Sequence, residues 1–124
     1  MPDIKQGEIY VVDIPQSHTV GSEQFKKRPY VIMSRLGINR AGNNVVGVPL
    51  SHVTRKACQH RIMIPVREII RAVGCTYNFL DSVALTDQTR VLDIQRLEQP
   101  SIGNLSRSAI LSVQLGLAFL FEIR

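Results

Sequence analysis

Apolar positions run along this chain in short bursts, separated by Gly, Pro and polar residues. Glu8 to Ile14 is rich in β-branched and aromatic residues up to Pro15 and predicts a first strand. Gln16 to Lys27 predicts a long loop, and loops of about a dozen residues in compact domains are often functional. Pro29 to Ser34 and Val45 to Leu50 predict two more strands. The polar connection between them, around Asn39 to Asn44 with Gly42 inside it, predicts a hairpin. Arg61 to Pro65 alternates as a further strand. Val66 to Val73 predicts a short helix, with Ile69, Ile70 and Val73 on one face and Gly74 at its end. Ser82 to Leu85 and Thr89 to Ile94 predict short strands separated by a turn at Thr86, Asp87 and Gln88. After Ser106, a candidate N-cap, the period changes: Ile110, Val113, Leu117 and Leu120 fall at helical spacing. Leu111, Leu115 and Ala118 make this C-terminal helix apolar on a second side. It is therefore expected to be more than half buried, against the sheet or against another subunit. Gly116 inside it costs about 1 kcal/mol relative to Ala, and close packing is the expected compensation.

Short strands followed by a helix define an α+β class with a small barrel-like sheet. A length of 124 residues, 44% of them hydrophobic and with no internal repeat, predicts one domain spanning 1–124. Fifteen Lys and Arg against ten Asp and Glu leave a net charge of +5. That balance favours an anionic partner without choosing between RNA, DNA and an acidic protein. The opening MPDIKQGEIY lacks the apolar core of a secretory signal. The longest apolar segment, Ala109 to Phe121, is broken by Ser112 and Gln114 and is shorter than the ~18 residues of a membrane span. A cytoplasmic protein with no membrane association is expected. Cys58 and Cys75 then read as thiols in a reducing compartment.

The stretch VGSEQFKKRPYVIMS, Val20 to Ser34, joins a Gly-centred acidic loop to a basic trio and then to an apolar strand. Pro29 fixes its own φ and biases Arg28 toward extended backbone, so the guanidinium is carried at a rigid loop-to-strand junction. Positioned arginines serve phosphate recognition. Taken alone, an arginine beside a proline is ordinarily a solvated charge. Ser51 is equally an ordinary strand-end hydroxyl, and Asp87 can cap a turn or pair with Arg90. Arg90 and Asp93 read as a structural charge pair. Glu23 and Gln24 either pin the loop or contact RNA. Lys26, Lys27, Arg55, Lys56, Arg61, Arg67 and Arg71 could track phosphates, although scattered cations are usually only solvated. His52, Cys58, His60 and Cys75 fit no usual zinc spacing, so no metal is expected, and His18 reads as a solvated loop residue.

The segments GEIYVVDI, VGSEQ, KKRPYVIMS, VVGVPLS, DSVALTDQTRVLD and IGNLS, in that order, resemble the MazF/PemK family of toxin endoribonucleases over residues 7 to 121. The resemblance implies an SH3-like β-barrel of the CcdB/MazF/PemK kind with a C-terminal helix, and a homodimer. It also implies sequence-specific cleavage of single-stranded RNA without a cofactor, and inhibition by a cognate acidic antitoxin. Arg28 matches the family's catalytic arginine. Ser51 stands where the family usually has a catalytic threonine, keeping the hydroxyl but losing the methyl that restricts χ1. Asp87 matches a catalytic aspartate of some members. Leu85, however, stands where those members carry a second arginine, so the version centred on Arg28 and a hydroxyl fits better. Ser22, Glu23, Gln24, Lys27 and Gln88 are the expected substrate-binding residues.

The chemistry is self-consistent. RNA carries its own nucleophile, so the protein need only align the 2′-OH with the phosphate, move protons and neutralise developing charge. A guanidinium is a poor general base, which assigns Arg28 to charge stabilisation or acid catalysis and makes Asp87 an alternative base. Two other readings remain. One is a non-catalytic, CcdB-like toxin that binds DNA gyrase; it would not need Arg28 with Ser51, and the ending Phe119 to Arg124 lacks the Trp-Gly-Ile terminus of that class. The other is a weakened relative that still binds RNA or antitoxin.

Overall fold

The computed structural model describes residues 3–14, 27–52 and 59–123. These residues form strands β1 (Glu8–Val12), β2 (Arg28–Ile32), β3 (Asn44–His52), β4 (Arg61–Ile64), β5 (Ile69–Arg71), β6 (Ser82–Leu85), β7 (Arg90–Asp93) and β8 (Leu97–Leu105). Two helices accompany them, α1 (Leu36–Ala41) and α2 (Arg107–Leu120). Every strand pairing is antiparallel, and the strands run in the order β4, β6, β3, β2, β1, β8, β5, with β7 beside β3. β3 is long enough to serve three neighbours: Asn44 to Gly47 pair with β7, Gly47 to Pro49 with β2, and Leu50 to His52 with β6. One long strand shared in this way curls the sheet into a half-barrel. The expected barrel-like sheet and terminal helix are what forms.

The sheet buries both faces, which explains why its strands read as near-continuous apolar runs. Successive side chains point to opposite faces. Ile9, Val31, Val48 and Leu50 enter one cluster with Ile64, Leu105, Ala109 and Val113. Their strand neighbours Tyr10, Val12, Tyr30, Ile32 and Val45 enter a second cluster with Leu92 and Leu97. Each fully buried aliphatic side chain contributes about 1.5–3 kcal/mol. A one-residue slip of β1 or β2 would exchange the two sets and is therefore strongly disfavoured.

Helix α2 covers the first cluster. Ser106 caps it as expected, its Oγ accepting the Ala109 amide at 3.2 Å. Glu68 braces the same end by accepting from the Ser106 and Ser108 hydroxyls. Gly116 lies against β4, where a Cβ would come within 2.8 Å of Ile62 Cγ1 and 3.0 Å of the His60 carbonyl. Close packing is the reason for this glycine. Much of the second apolar side of the helix remains exposed: Leu111 at 53%, Leu115 at 71% and Phe119 at 50%, four residues apart.

Three elements differ from the pattern-based expectation. Val66 to Val73 is not a helix. Val66–Glu68 is a single 3₁₀ turn and Ile69–Arg71 is strand β5, paired with β8 at Ile69–Leu105 and Ile70–Asn104. The β-branched pair suits either structure locally, and the open edge of β8 decides. β8 itself was not anticipated, because Pro100, Ser101 and Gly103 break up its nine residues as a turn would. β2 and β3 pair as the expected hairpin, but their connection contains helix α1, which the pattern does not predict. Asn39 is buried there, donating to the carbonyls of Ile4 at 2.7 Å and Ser34 at 3.0 Å while its Oδ1 accepts from the Ser34 hydroxyl. Among the described residues no helix is long and apolar enough to cross a membrane.

Candidate active site

The register of β2 against β3 is set by three opposed pairs: Ile32 with Gly47, Val31 with Val48, and Tyr30 with Pro49. The paired residues stop there, two positions short of Arg28 on β2 and of Ser51 on β3. Arg28 pairs with Val12 of β1, so the loop-to-strand junction anticipated from Pro29 is held on that side by the sheet. Ser51 pairs with Val83 of β6. Both residues are partly buried.

Arg28 and Ser51 line one cavity of about 140 Å³, bordered also by Lys27, His52, Tyr77, Asn78 and Phe79. The polar groups converge on a small, partly enclosed space, where charge is stabilised better than in bulk water. Burial pushes the Tyr77 phenol above its usual range, and the positive charge of Arg28 acts against that rise. Guanidinium and phenol therefore share one electrostatic environment. A larger recess of about 380 Å³, around Ile4, Ile94 and Leu97, contains none of the sequence-derived site residues.

The other expected site residues are distributed differently. Lys27 stands at the cavity and forms an ion pair with Glu98 at 2.7 Å, which raises its pKa. Asp87 is in the 3₁₀ turn Thr86–Gln88, gripped by Arg61 through two contacts, Nε to Oδ1 at 3.0 Å and Nη2 to Oδ2 at 2.7 Å. These hydrogen bonds hold its carboxyl below the usual carboxylate range, with burial acting against them. Neither Asp87 nor Gln88 is among the residues that line the cavity of Arg28 and Ser51. Ser22, Glu23 and Gln24 lie outside the described residues, as do Lys26, Arg55, Lys56, His18 and Cys58. Among the described residues, no group of three or more His, Cys, Asp and Glu side chains is arranged to hold a metal ion.

Residues 77–80 form a wall of the cavity that the strand and helix patterns do not reveal. Tyr77, Asn78, Phe79 and Leu80 all reach it. The available signal was the pair of aromatics, Tyr77 and Phe79, two residues apart and just before the strand of Ser82 to Leu85. Aromatics outside regular structure need a reason to be there.

A curled antiparallel half-barrel closed by a C-terminal helix is the architecture of MazF-type toxins. A model of the PemK-like, MazF-like toxins of type II toxin–antitoxin systems matches residues 5–121, and the chain belongs to that family. Among solved structures, MazF from Deinococcus radiodurans aligns with a TM-score of 0.74 at 18% identity, covering 99% of this chain and 100% of that one. An endoribonuclease in complex with its cognate antitoxin, from a mycobacterial species, aligns at 0.72 and 17% identity over 98% and 97% of the two chains. The Mycobacterium tuberculosis toxin MazF-mt6 aligns at 0.70 and 17% identity, over 94% and 98%. At such identities the likeness is one of fold. No protein in the curated set matches the sequence.

Proposed function

We propose that this toxin is an endoribonuclease that cuts single-stranded RNA at the cavity shared by Arg28 and Ser51. The observation that carries the reading is that those two residues, on adjacent strands, line one small recess. The guanidinium presents a planar fork of donors to the non-bridging phosphoryl oxygens, and the hydroxyl adds a donor to the same centre or to the leaving oxygen. The neighbouring 2′-OH gives up its proton and attacks in line, the P–O5′ bond breaks and the 5′-oxygen takes up a proton, giving a 2′,3′-cyclic phosphate and a 5′-OH end, while protein groups without a metal meet the negative charge on the non-bridging oxygens. Of the described residues on the cavity wall, His52 carries an imidazole that can accept or donate a proton in the reaction. Asp87, committed to Arg61, is assigned to holding β4 against the turn after β6. Lys27 attracts the strand electrostatically from the cavity rim, and Ser22, Glu23, Gln24 and Gln88 complete the RNA contact.

The same reading gives the chain a cognate acidic antitoxin that competes with RNA for the basic surface, and a second copy of itself as partner. The mycobacterial relative solved with its antitoxin supports the first. The exposed stripe of Leu111, Leu115 and Phe119 supports the second, since large contiguous apolar patches mark interaction surfaces. The test is incubation of the purified protein with mixed single-stranded RNA in EDTA, followed by mapping of the ends. Cuts with cyclic phosphate termini, lost in Arg28→Ala, are expected; no cuts in any RNA would refute the reading.

A further inference from the structure

The cavity wall facing β2 and β3 belongs to chain without regular hydrogen-bonded structure, residues 75–80. Such a segment holds a side chain in place only if something outside it fixes the backbone. Arg71, the last residue of β5, does so. Its Nη1 donates to the carbonyls of Tyr77 and, at 3.4 Å, Cys75. The same guanidinium lies over the Phe79 ring, 5.4 Å from its centroid. Phe79 is buried in the first core cluster and anchors the far end of the clamp. The Tyr77 amide donates to Cys75 Sγ at 3.3 Å, and the Tyr77 ring packs on Phe79 at 5.0 Å between centroids, tilted by 55°. One arginine thus ties two carbonyls and an aromatic of this segment to the edge of the sheet.

The fixed object is Tyr77. Its ring is engaged by Phe79 and packs against the core cluster. Tyr77 lines the same cavity as Arg28 and Ser51, and its phenol feels the charge of Arg28. We propose that the Tyr77 hydroxyl is a further catalytic residue, donating a hydrogen bond to a phosphoryl oxygen of the RNA held at Arg28, with Arg71 as the positioning residue that places it. The inference rests on the nuclease reading above. No bond to Tyr77 forms or breaks: the phenol keeps its proton and supplies a fixed donor that strengthens as negative charge grows on the phosphoryl group. Burial favours this role by keeping the phenol neutral and a donor. A ring used only as a stacking platform for a base would not need the hydroxyl, which makes the two roles separable.

The experiment compares Tyr77→Phe, Arg71→Lys and the double variant with the unaltered chain, by single-turnover cleavage of single-stranded RNA and by ultraviolet titration of the tyrosines. Loss of one preorganised donor predicts a fall on the order of 100-fold in Tyr77→Phe, with an unchanged melting temperature. Arg71→Lys keeps the charge but loses the planar fork, so it should fall comparably, and the double variant should fall little further than either single one. Full activity in Tyr77→Phe overturns the inference and leaves the nuclease reading intact. Absence of both cleavage and RNA binding in the unaltered chain refutes the nuclease reading, and this inference with it. Should Tyr77→Phe melt early, titration of the unaltered chain decides. An uncleavable 2′-O-methyl RNA should move one phenol to higher pKa, because its phosphate opposes the phenolate. The same phenol should move up in Arg28→Gln without RNA. No movement in either case overturns the inference.

Discussion

Arg61 holds Asp87 by both carboxylate oxygens, joining the start of β4 to the 3₁₀ turn that follows β6. The pair reinforces a register already set by Arg61 opposite Leu85. It also keeps the carboxylate ionised, because protonation would give up both hydrogen bonds.

The folded Asp87 therefore titrates below its unfolded value, and its stabilisation is present above the unfolded pKa and lost as pH falls through the folded one. Asp87→Asn should lower the melting temperature at pH 7, and the difference from the unaltered chain should shrink between about pH 5 and pH 2. The side chains are partly solvent-exposed, which limits the effect to roughly 1 kcal/mol. Thermal melts across that range check it. Cleavage per folded molecule should persist in this variant.

Arg28→Lys preserves charge but not the bidentate fork, and should lower cleavage by about 10²–10³, nearly as much as Arg28→Ala. Ser51→Ala should cost about 10², whereas Ser51→Thr should retain activity, since it keeps the hydroxyl and narrows χ1. Single-turnover rates on one RNA rank the four variants. A fully active Arg28→Lys would contradict a bidentate contact.

Gly103 in β8 lies beneath β5: a Cβ there would come within 2.6 Å of the Ile70 carbonyl oxygen and 3.4 Å of Phe79 Cζ. The nearer atom is backbone and cannot rotate away. Gly103→Ala should push β5 off β8 and lose about 1–3 kcal/mol by urea unfolding. Because β5 ends in Arg71, the wall of the cavity should loosen with it, and activity should fall more than stability alone accounts for.

Leu115 is 71% exposed at the centre of the outer stripe of α2. Leu115→Asp should leave the melting temperature of a lone chain almost unchanged but convert a dimer to monomer in sedimentation velocity. An unaltered chain that sediments as a monomer would remove the stripe from consideration as a self-contact.

Much of this toxin is written locally. The near-continuous apolar, β-branched runs of β1, β2 and β3 predict strands, and they are continuous because both faces are buried here. Ser106 and the spacing from Ile110 onward announce α2, since capping and helical period act within a few residues. Pro29 marks Arg28 as held at a strand's start for the same reason. What the chain could not announce depends on partners distant in sequence. Ile69 and Ile70 become a strand because the edge of β8 is there to receive them. Asp87 finds Arg61, 26 residues away, and Arg71 closes on Tyr77 and Phe79 only once β5 has docked. Arg28 and Ser51 are 23 positions apart in sequence, a spacing that carries no information about contact. The pairing of β2 with β3 brings them to one cavity, and such a pairing is a property of two packed strands rather than of either one.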